Sequence, residues 1–386
     1  MLVSRVQLKN WRNFRDLDIA MGSRVYIIGS NASGKSNFLD VFRFLRDICK
    51  PSGGGLQKAV GDRGGIKKLR CIHARKDTEV LIVCNVAESL DSERVWQYTL
   101  GFKSEGSGYQ RIQITQEKVV DPNGNVLLDR PDSEDQKDKE RLVQTALEQI
   151  NANHPFRVLS EFFRDTVYLH LVPQLLKFSE INAKILEDDP FGQGLLQRIA
   201  KTPQKTRDAR LRKIQEALKI AVPHFSELVF IKDESTGRPH LQACYQHWRP
   251  HGAWQTEEQF SDGTLRLIGL LWILQEKSEN MPILLLEEPE LSLNDAIVEM
   301  IPTMVERVLR KQKNSLRQVM ITTHSESLLK NPLDPDAIVV LEMGLNGTTA
   351  RKPDEKESKL MTQGLTAAEV VLSKTRPQQI EQLSLL

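Results

Sequence analysis

The run Gly29-Ser30-Asn31-Ala32-Ser33-Gly34-Lys35-Ser36 has the form G-x-x-x-x-G-K-[ST], and its neighbours give that form a physical meaning. Val25, Tyr26, Ile27 and Ile28 ahead of it read as a buried strand, while Phe38, Leu39, Phe42 and Leu45 behind it recur at helical spacing. Glycines at both ends let backbone N–H groups turn inward on phosphate oxygens, and the positive end of the following helix points at the same place. Lys35 is expected to neutralise β- and γ-phosphate oxygens and the Ser36 hydroxyl to hold Mg²⁺. Gly29 to Ser36, with Asn37 behind them, are thus the expected contacts of a nucleotide.

Three further stretches carry chemistry. Ile283 to Leu286 make a fully apolar strand that ends in Glu287 and Glu288, at the edge where open α/β sheets bind their ligands. Glu287 suits Mg²⁺ held through water, and Glu288 suits polarising an attacking water as a general base. A strand ending in surface acids looks the same in isolation; the phosphate loop upstream sets this pair apart. Ser261, Asp262 and Gly263 stand directly before an apolar helix, Ser261 as its cap and Gly263 permitting close backbone approach. Their N–H groups form a second anion site, or else the start of an ordinary capped helix. One nucleotide needs one cradle, so a second cradle points to the nucleotide of another subunit. His324 follows the apolar strand Val319 to Thr323, one βαβ crossover beyond the carboxylates; alone it reads as structural.

The elements that must position these residues follow from patterning. Residues 2–8 alternate as a strand and a second begins at Leu17 and Ile19, both ahead of the loop. Residues 51–69 are rich in glycine and read as a link with one helical turn. Short β-rich runs from 79 to 128 predict an antiparallel meander. Helix is predicted within 132–150 and through much of 155–225, broken at Pro173, Pro190, Pro203 and Pro223. Strands at 228–246 precede helix 262–277, strand 283–287, helix 294–312 and strands 318–322 and 337–342.

Composition bounds the class. The 386 residues are 40% apolar and 27% charged, as in globular domains, and no apolar run approaches the roughly 20 residues of a membrane span. The N-terminus lacks an apolar signal region, so Met1 is expected to begin a cytoplasmic domain. Cys49, Cys71, Cys84 and Cys244 form no C-x-x-C pair and read as reduced structural thiols. A net charge of +2 argues against a global polyanion surface, leaving only a local patch for nucleic acid.

The order of phosphate loop, capped-helix segment, EEPE strand and TTHS strand resembles the ATP-binding-cassette ATPases of the SMC, RecF and OLD type, and among them the compact AAA-type ATPases of bacteria. The opening segment Val6 to Phe14 is similar to their N-terminal N-F-[RK]-x-[FY] pattern. The resemblance implies an α/β P-loop NTPase head with an antiparallel β-lobe and a helical lobe, divided as 1–130, 131–225 and 226–386. It implies ATP and Mg²⁺ as cofactors, Gly29 to Ser36 as Walker A, Glu287 and Glu288 as Walker B, and Ser261 to Arg266 as the signature. His324 becomes the switch histidine and Arg12 an extra phosphate contact. By the same resemblance, two heads form a homodimer around two ATP molecules, with higher oligomers open. A separately encoded, nuclease-like effector is then expected, in anti-phage defence. The signature reads FSDGT where transporters have LSGGQ, Glu287 replaces their Asp, and Leu291 to Asp295 replace a histidine-bearing segment; no Q-loop glutamine is assigned. Only about 60 residues follow His324, without a Glu plus D-x-D set, so no TOPRIM nuclease domain is expected.

Two weaker groupings remain. His240, Cys244, His247 and His251 lie close together, but on a strand and a Pro/Gly loop whose pairs face opposite ways, which reads as surface or packing rather than zinc. Arg198, Lys201, Lys205, Arg207, Arg210, Arg212 and Lys213 make a basic stretch over 198–213, either a solvated helix face or a contact for DNA phosphates or an acidic partner surface. The alternative function is therefore a RecF-like repair ATPase that binds DNA directly.

Overall fold

The structure, a computed structural model, describes residues 1–74, 77–89, 92–106, 111–177, 191–246, 252–276, 281–311 and 317–375. Two compact units interleave along the chain: Met1–Val167 with Ser278–Leu285 and Gln312–Leu386, and Tyr168–Lys277 with Leu286–Lys311.

In the first unit, β1 (Leu2–Trp11), β2 (Phe14–Ala20), β4 (Val80–Ala87), β5 (Val95–Ser104), β6 (Ile112–Val120) and β7 (Val126–Arg130) form an antiparallel sheet in the order β2-β1-β4-β5-β6-β7. The expected meander is thus present, and the two opening strands join it at one edge. A mixed sheet has the order β15-β14-β3-β13-β12-β8, with β3 (Arg24–Ile28), β8 (Val167–Leu169), β12 (Ile283–Glu287), β13 (Gln318–Thr323), β14 (Ile338–Gly344) and β15 (Gly347–Arg351). β3 is central and runs parallel to both β13 and β14, which is why Val25 to Ile28 are apolar without alternation. β8 passes into the second unit at Tyr168 and β12 at Leu286.

Helix Lys35–Cys49 is fixed within the first unit by aromatic rings. Its Phe44 lies between Trp11, at 5.1 Å, and Phe102, at 5.5 Å, and its Phe38 meets Phe14 at 6.3 Å. Burying several large rings along one helix, each contributing about 1.5–3 kcal/mol, fixes where the phosphate loop stands.

Residues 132–150 do not form the expected helix. A short helix, Ser133–Lys137, stops and a 3₁₀ turn, Lys139–Val143, restarts on the Asp138 side chain, which accepts the Glu140 N–H at 3.0 Å. The buried Glu117 carboxylate then accepts the Ala146 and Leu147 N–H groups at 2.8 and 3.1 Å, bonds a continuous helix would have kept for itself. Residues 294–312 divide into Asp295–Val298 and Ile301–Lys311 because Pro302 cannot donate and would crowd the carbonyl of Val298.

The second unit has helices Leu195–Lys201, Gln204–Ala221 and Asp262–Leu274, and a sheet in the order β11-β10-β9 from β9 (Phe225–Lys232), β10 (Pro239–Tyr245) and β11 (Ala253–Thr256). β8 and β11 are short strands that the sequence pattern does not announce. Pro173 opens a helix, Pro173–Lys177, rather than breaking one, while Pro203 caps and Pro223 follows helix Gln204–Ala221. Pro190 lies outside the described residues. Among the described residues no helix is long and apolar enough to cross a membrane.

Candidate functional site

The phosphate loop connects β3 to helix Lys35–Cys49 through a left-handed Gly34 (φ +97°), and no side chain caps that helix. A Cβ on Gly34 would stand 2.0 Å from Asn13 Nδ2, so glycine is required by space as well as by backbone angle. Lys35 Nζ donates to the Gly29 and Ser30 carbonyls at 2.9 and 3.2 Å, folding its ammonium over the loop. Ser33 Oγ is buried without a hydrogen-bond partner among the described residues. An uncapped helix N-terminus, an ammonium and a buried hydroxyl facing one loop suit an anion, and ATP phosphates fit this donor set.

Asn13 braces the loop from outside. Its Nδ2 donates to Ser33 O at 3.0 Å and Thr348 Oγ1 at 2.7 Å, and its Oδ1 accepts from Asn37 Nδ2 at 2.8 Å. Arg12 stands beside it at φ +50°, its guanidinium donating to Asp40 Oδ2 at 2.7 and 2.9 Å. Burial pushes the Asp40 carboxyl up, but Arg63, then Arg12 and Arg43, outweigh it and hold the group below its usual range. Arg12, Asn13, Ala32, Asn37, Met343 and Thr348 line an open cavity of ≈ 350 Å³, large enough for a nucleoside beside the loop. His324 is exposed just after Thr323, which pairs with Ile28, so it emerges at the end of the sheet where Gly29 begins the loop.

The second unit holds Glu287 and Glu288 and the segment expected to be the signature. Glu287 ends β12, and its side chain accepts a hydrogen bond from the Tyr168 hydroxyl. His170 Nδ1 lies 3.3 Å from the Glu287 carbonyl. Glu288 adopts φ +43°, a conformation that costs a non-glycine residue of order 1 kcal/mol and recurs at functional sites. Ser261 caps helix Asp262–Leu274 by accepting the Thr264 N–H at 3.1 Å. Asp262 is occupied by Gln174 Nε2 at 2.6 Å and Lys177 Nζ at 2.9 Å. The close approach expected at Gly263 occurs within the chain: a Cβ there would stand 2.6 Å from the Ser292 carbonyl.

Sequence reasoning missed Tyr168, whose strand is three residues long, and His170, which follows that strand. Asn13 stands out in the sequence only as part of the opening pattern. Of the histidine grouping, His240 pairs with Glu257 at 2.7 Å, and His247 and His251 lie outside the described residues. In the basic stretch, Arg207 stacks 4.1 Å over Phe230 and Arg210 5.2 Å over Trp272, while Lys201, Lys205, Arg212 and Lys213 are exposed.

Comparisons with known proteins bear on the family and the fold. The family described as "AAA domain, putative AbiEii toxin, Type IV TA system" matches residues 25–330. A crystallised SMC head bound to the C-terminal winged-helix domain of ScpA superposes with a TM-score of 0.57 at 16% identity, covering 92% of this chain and 99% of that one. The SMC head from Pyrococcus furiosus with an extended coiled coil, bound to the C-terminal domain of ScpA, gives 0.54 at 13%, covering 94% and 98%. The DNA replication and repair protein RecF of Bacillus cytotoxicus is 44% identical over 46 residues, a stretch that spans 12% of each chain. The chain therefore belongs to this AAA-domain family, and its fold is that of an SMC-like P-loop ATPase head.

Proposed function

We propose that this chain binds and hydrolyses ATP as one half of a head dimer and thereby regulates a separately encoded effector in prokaryotic anti-phage defence. The observation that carries the ATPase reading is the phosphate loop, where Lys35, the buried Ser33 hydroxyl and an uncapped helix N-terminus converge. Bound Mg²⁺·ATP supplies the scissile anhydride and a Lewis acid. Gly29 to Asn37 hold the phosphates, Lys35 neutralises their charge, and Ser36 and Glu287 hold the metal. Glu288 takes the proton of the attacking water, and His324 and Arg12 contact phosphate oxygens. Ser261, Asp262 and Gly263 face the nucleotide of the partner chain. The effector and defence role rest on family likeness, since function belongs to sites rather than folds.

Direct DNA binding in the manner of a RecF-like repair ATPase is the second reading, favoured by the short RecF match. Exposed Lys201, Lys205, Arg212 and Lys213 would meet phosphates, whereas Arg207 and Arg210 are engaged with aromatic rings.

The test compares Lys35→Ala with Glu288→Gln. Lys35→Ala abolishes nucleotide binding, whereas Glu288→Gln binds normally and turns over about 10² to 10⁴-fold more slowly, the usual worth of a positioned base. Equal loss of affinity in both variants contradicts these roles. The purified chain cuts no DNA, and expression from the native locus recovers an effector whose association changes in Glu288→Gln. Nuclease activity abolished by a point change in this chain, or a pull-down returning only the chain itself, overturns the regulatory role.

A further inference from the structure

Arg266 lies one turn into helix Asp262–Leu274, in the segment whose resemblance assigns it to a partner's nucleotide, yet its contacts run to its own chain. Its side chain is 4% exposed, and its Nη1 donates to the Glu288 carbonyl at 3.2 Å. Asp262, at the start of the helix, and Glu288 and Glu290, beyond β12, are the acids that act on its charge. Burial nevertheless pulls its pKa below the ordinary value, and Nε is buried without a hydrogen-bond partner among the described residues. A cation held at that cost is poorly explained by stability, because a well-packed apolar side chain in its place is often as stable or more so.

What it does hold is geometry. Glu288 is at φ +43°, a conformation that persists only when its surroundings over-determine it. One contact from helix Asp262–Leu274 reaches that residue directly, the Arg266 bond to the Glu288 carbonyl; a second, the approach of Gly263 to the Ser292 carbonyl, where even a Cβ would stand at 2.6 Å, meets the same connection four residues on. We propose that Arg266 is a positioning residue that ties the signature helix to the Glu288 turn, so that a displacement of that helix by a partner's nucleotide changes the aim of this chain's own catalytic carboxylate. The proposal rests on the ATPase reading above, and it adds a link inside one chain between the segment serving one nucleotide and the base serving another.

The experiment measures wild-type turnover first, then kcat and nucleotide Kd separately for Arg266→Met and Arg266→Lys, each also in the Glu288→Gln background. Arg266→Met lowers kcat by about 10²-fold, the scale of a small misplacement of a catalytic group, with Kd unchanged within about twofold. Arg266→Lys, which keeps one donor for the carbonyl, recovers part of the loss. In Glu288→Gln the Arg266→Met change costs nothing further, because both act through one group. Arg266→Lys also serves alone if Arg266→Met does not fold, its own smaller loss of kcat vanishing in the Glu288→Gln background. An undiminished kcat in both variants, or a loss that multiplies through in Glu288→Gln, overturns the proposal while leaving the ATPase reading intact. Absence of wild-type turnover overturns both, and is told apart by being read before any variant.

Discussion

At the scale of single residues, Asn13 does more for the phosphate loop than its side chain's size suggests. It bonds Ser33 O, Asn37 and Thr348 at once, and it occupies the space a Cβ on Gly34 would need. Asn13→Ala therefore leaves the fold standing but lets the loop wander. ATP affinity measured by calorimetry should fall about tenfold, the worth of one or two net hydrogen bonds, while Tm shifts by only a few degrees. An unchanged affinity rejects the strut. Glu357 makes a different residue-scale case, far from the site in sequence. Its bonds to Arg351 hold its carboxyl at about 2 despite burial, with Lys374 helping. A folded pKa below the unfolded one means that its stabilisation is complete above roughly pH 4.5 and is lost as pH falls towards 2. Melting curves of Glu357→Gln should thus show a lower Tm than wild type at neutral pH and converge with it in acid; parallel curves count against the pairing.

At the scale of elements, what the sequence announced depended on whether one periodicity governed a stretch. β3, β12 and β13 were legible as unbroken apolar runs, because strands buried on both faces have no room for polar residues. Residues 132–150 were not, because Arg130 at the end of β7 takes the Arg141 and Gln144 carbonyls and the buried Glu117 of β6 takes the Ala146 and Leu147 N–H groups, and no helical period records a partner as remote in sequence as Glu117. The candidate site divides in the same way. Lys35, Glu287 and Glu288 show in motifs, whereas Tyr168 acts from a strand too short to carry a period. The Gly263 contact is an element-scale constraint, joining helix Asp262–Leu274 to the turn at Ser292. Gly263→Ala should lower stability by about 1–3 kcal/mol, the usual cost of overpacking, as read from denaturant midpoints. A midpoint equal to wild type means that the turn yields without cost.

For the whole molecule, the prediction concerns two chains. Gly263→Arg is a poor signature probe, since it collides with its own Ser292 before it meets a partner; exposed Ser261 is the better position. Lys35→Ala and Ser261→Arg should each be inactive alone. Mixed, they restore one composite site of two, and so about half the activity per mixed dimer. Mixed dimers that form yet stay silent dismiss independent sites completed in trans. The thiols offer a last consequence. All four cysteines are buried, and burial pushes Cys49 and Cys84 up to about 12, so these two present no thiolate to reagents at neutral pH while the chain stays folded. Alkylation of Cys49, at the far end of the phosphate-loop helix, becomes a clock for how often that helix opens. Nucleotide at a hundred times its Kd should slow this clock about a hundredfold in wild type and leave it untouched in Lys35→Ala, so mass spectrometry of one unmodified peptide reads ligand binding without a label or a turnover assay.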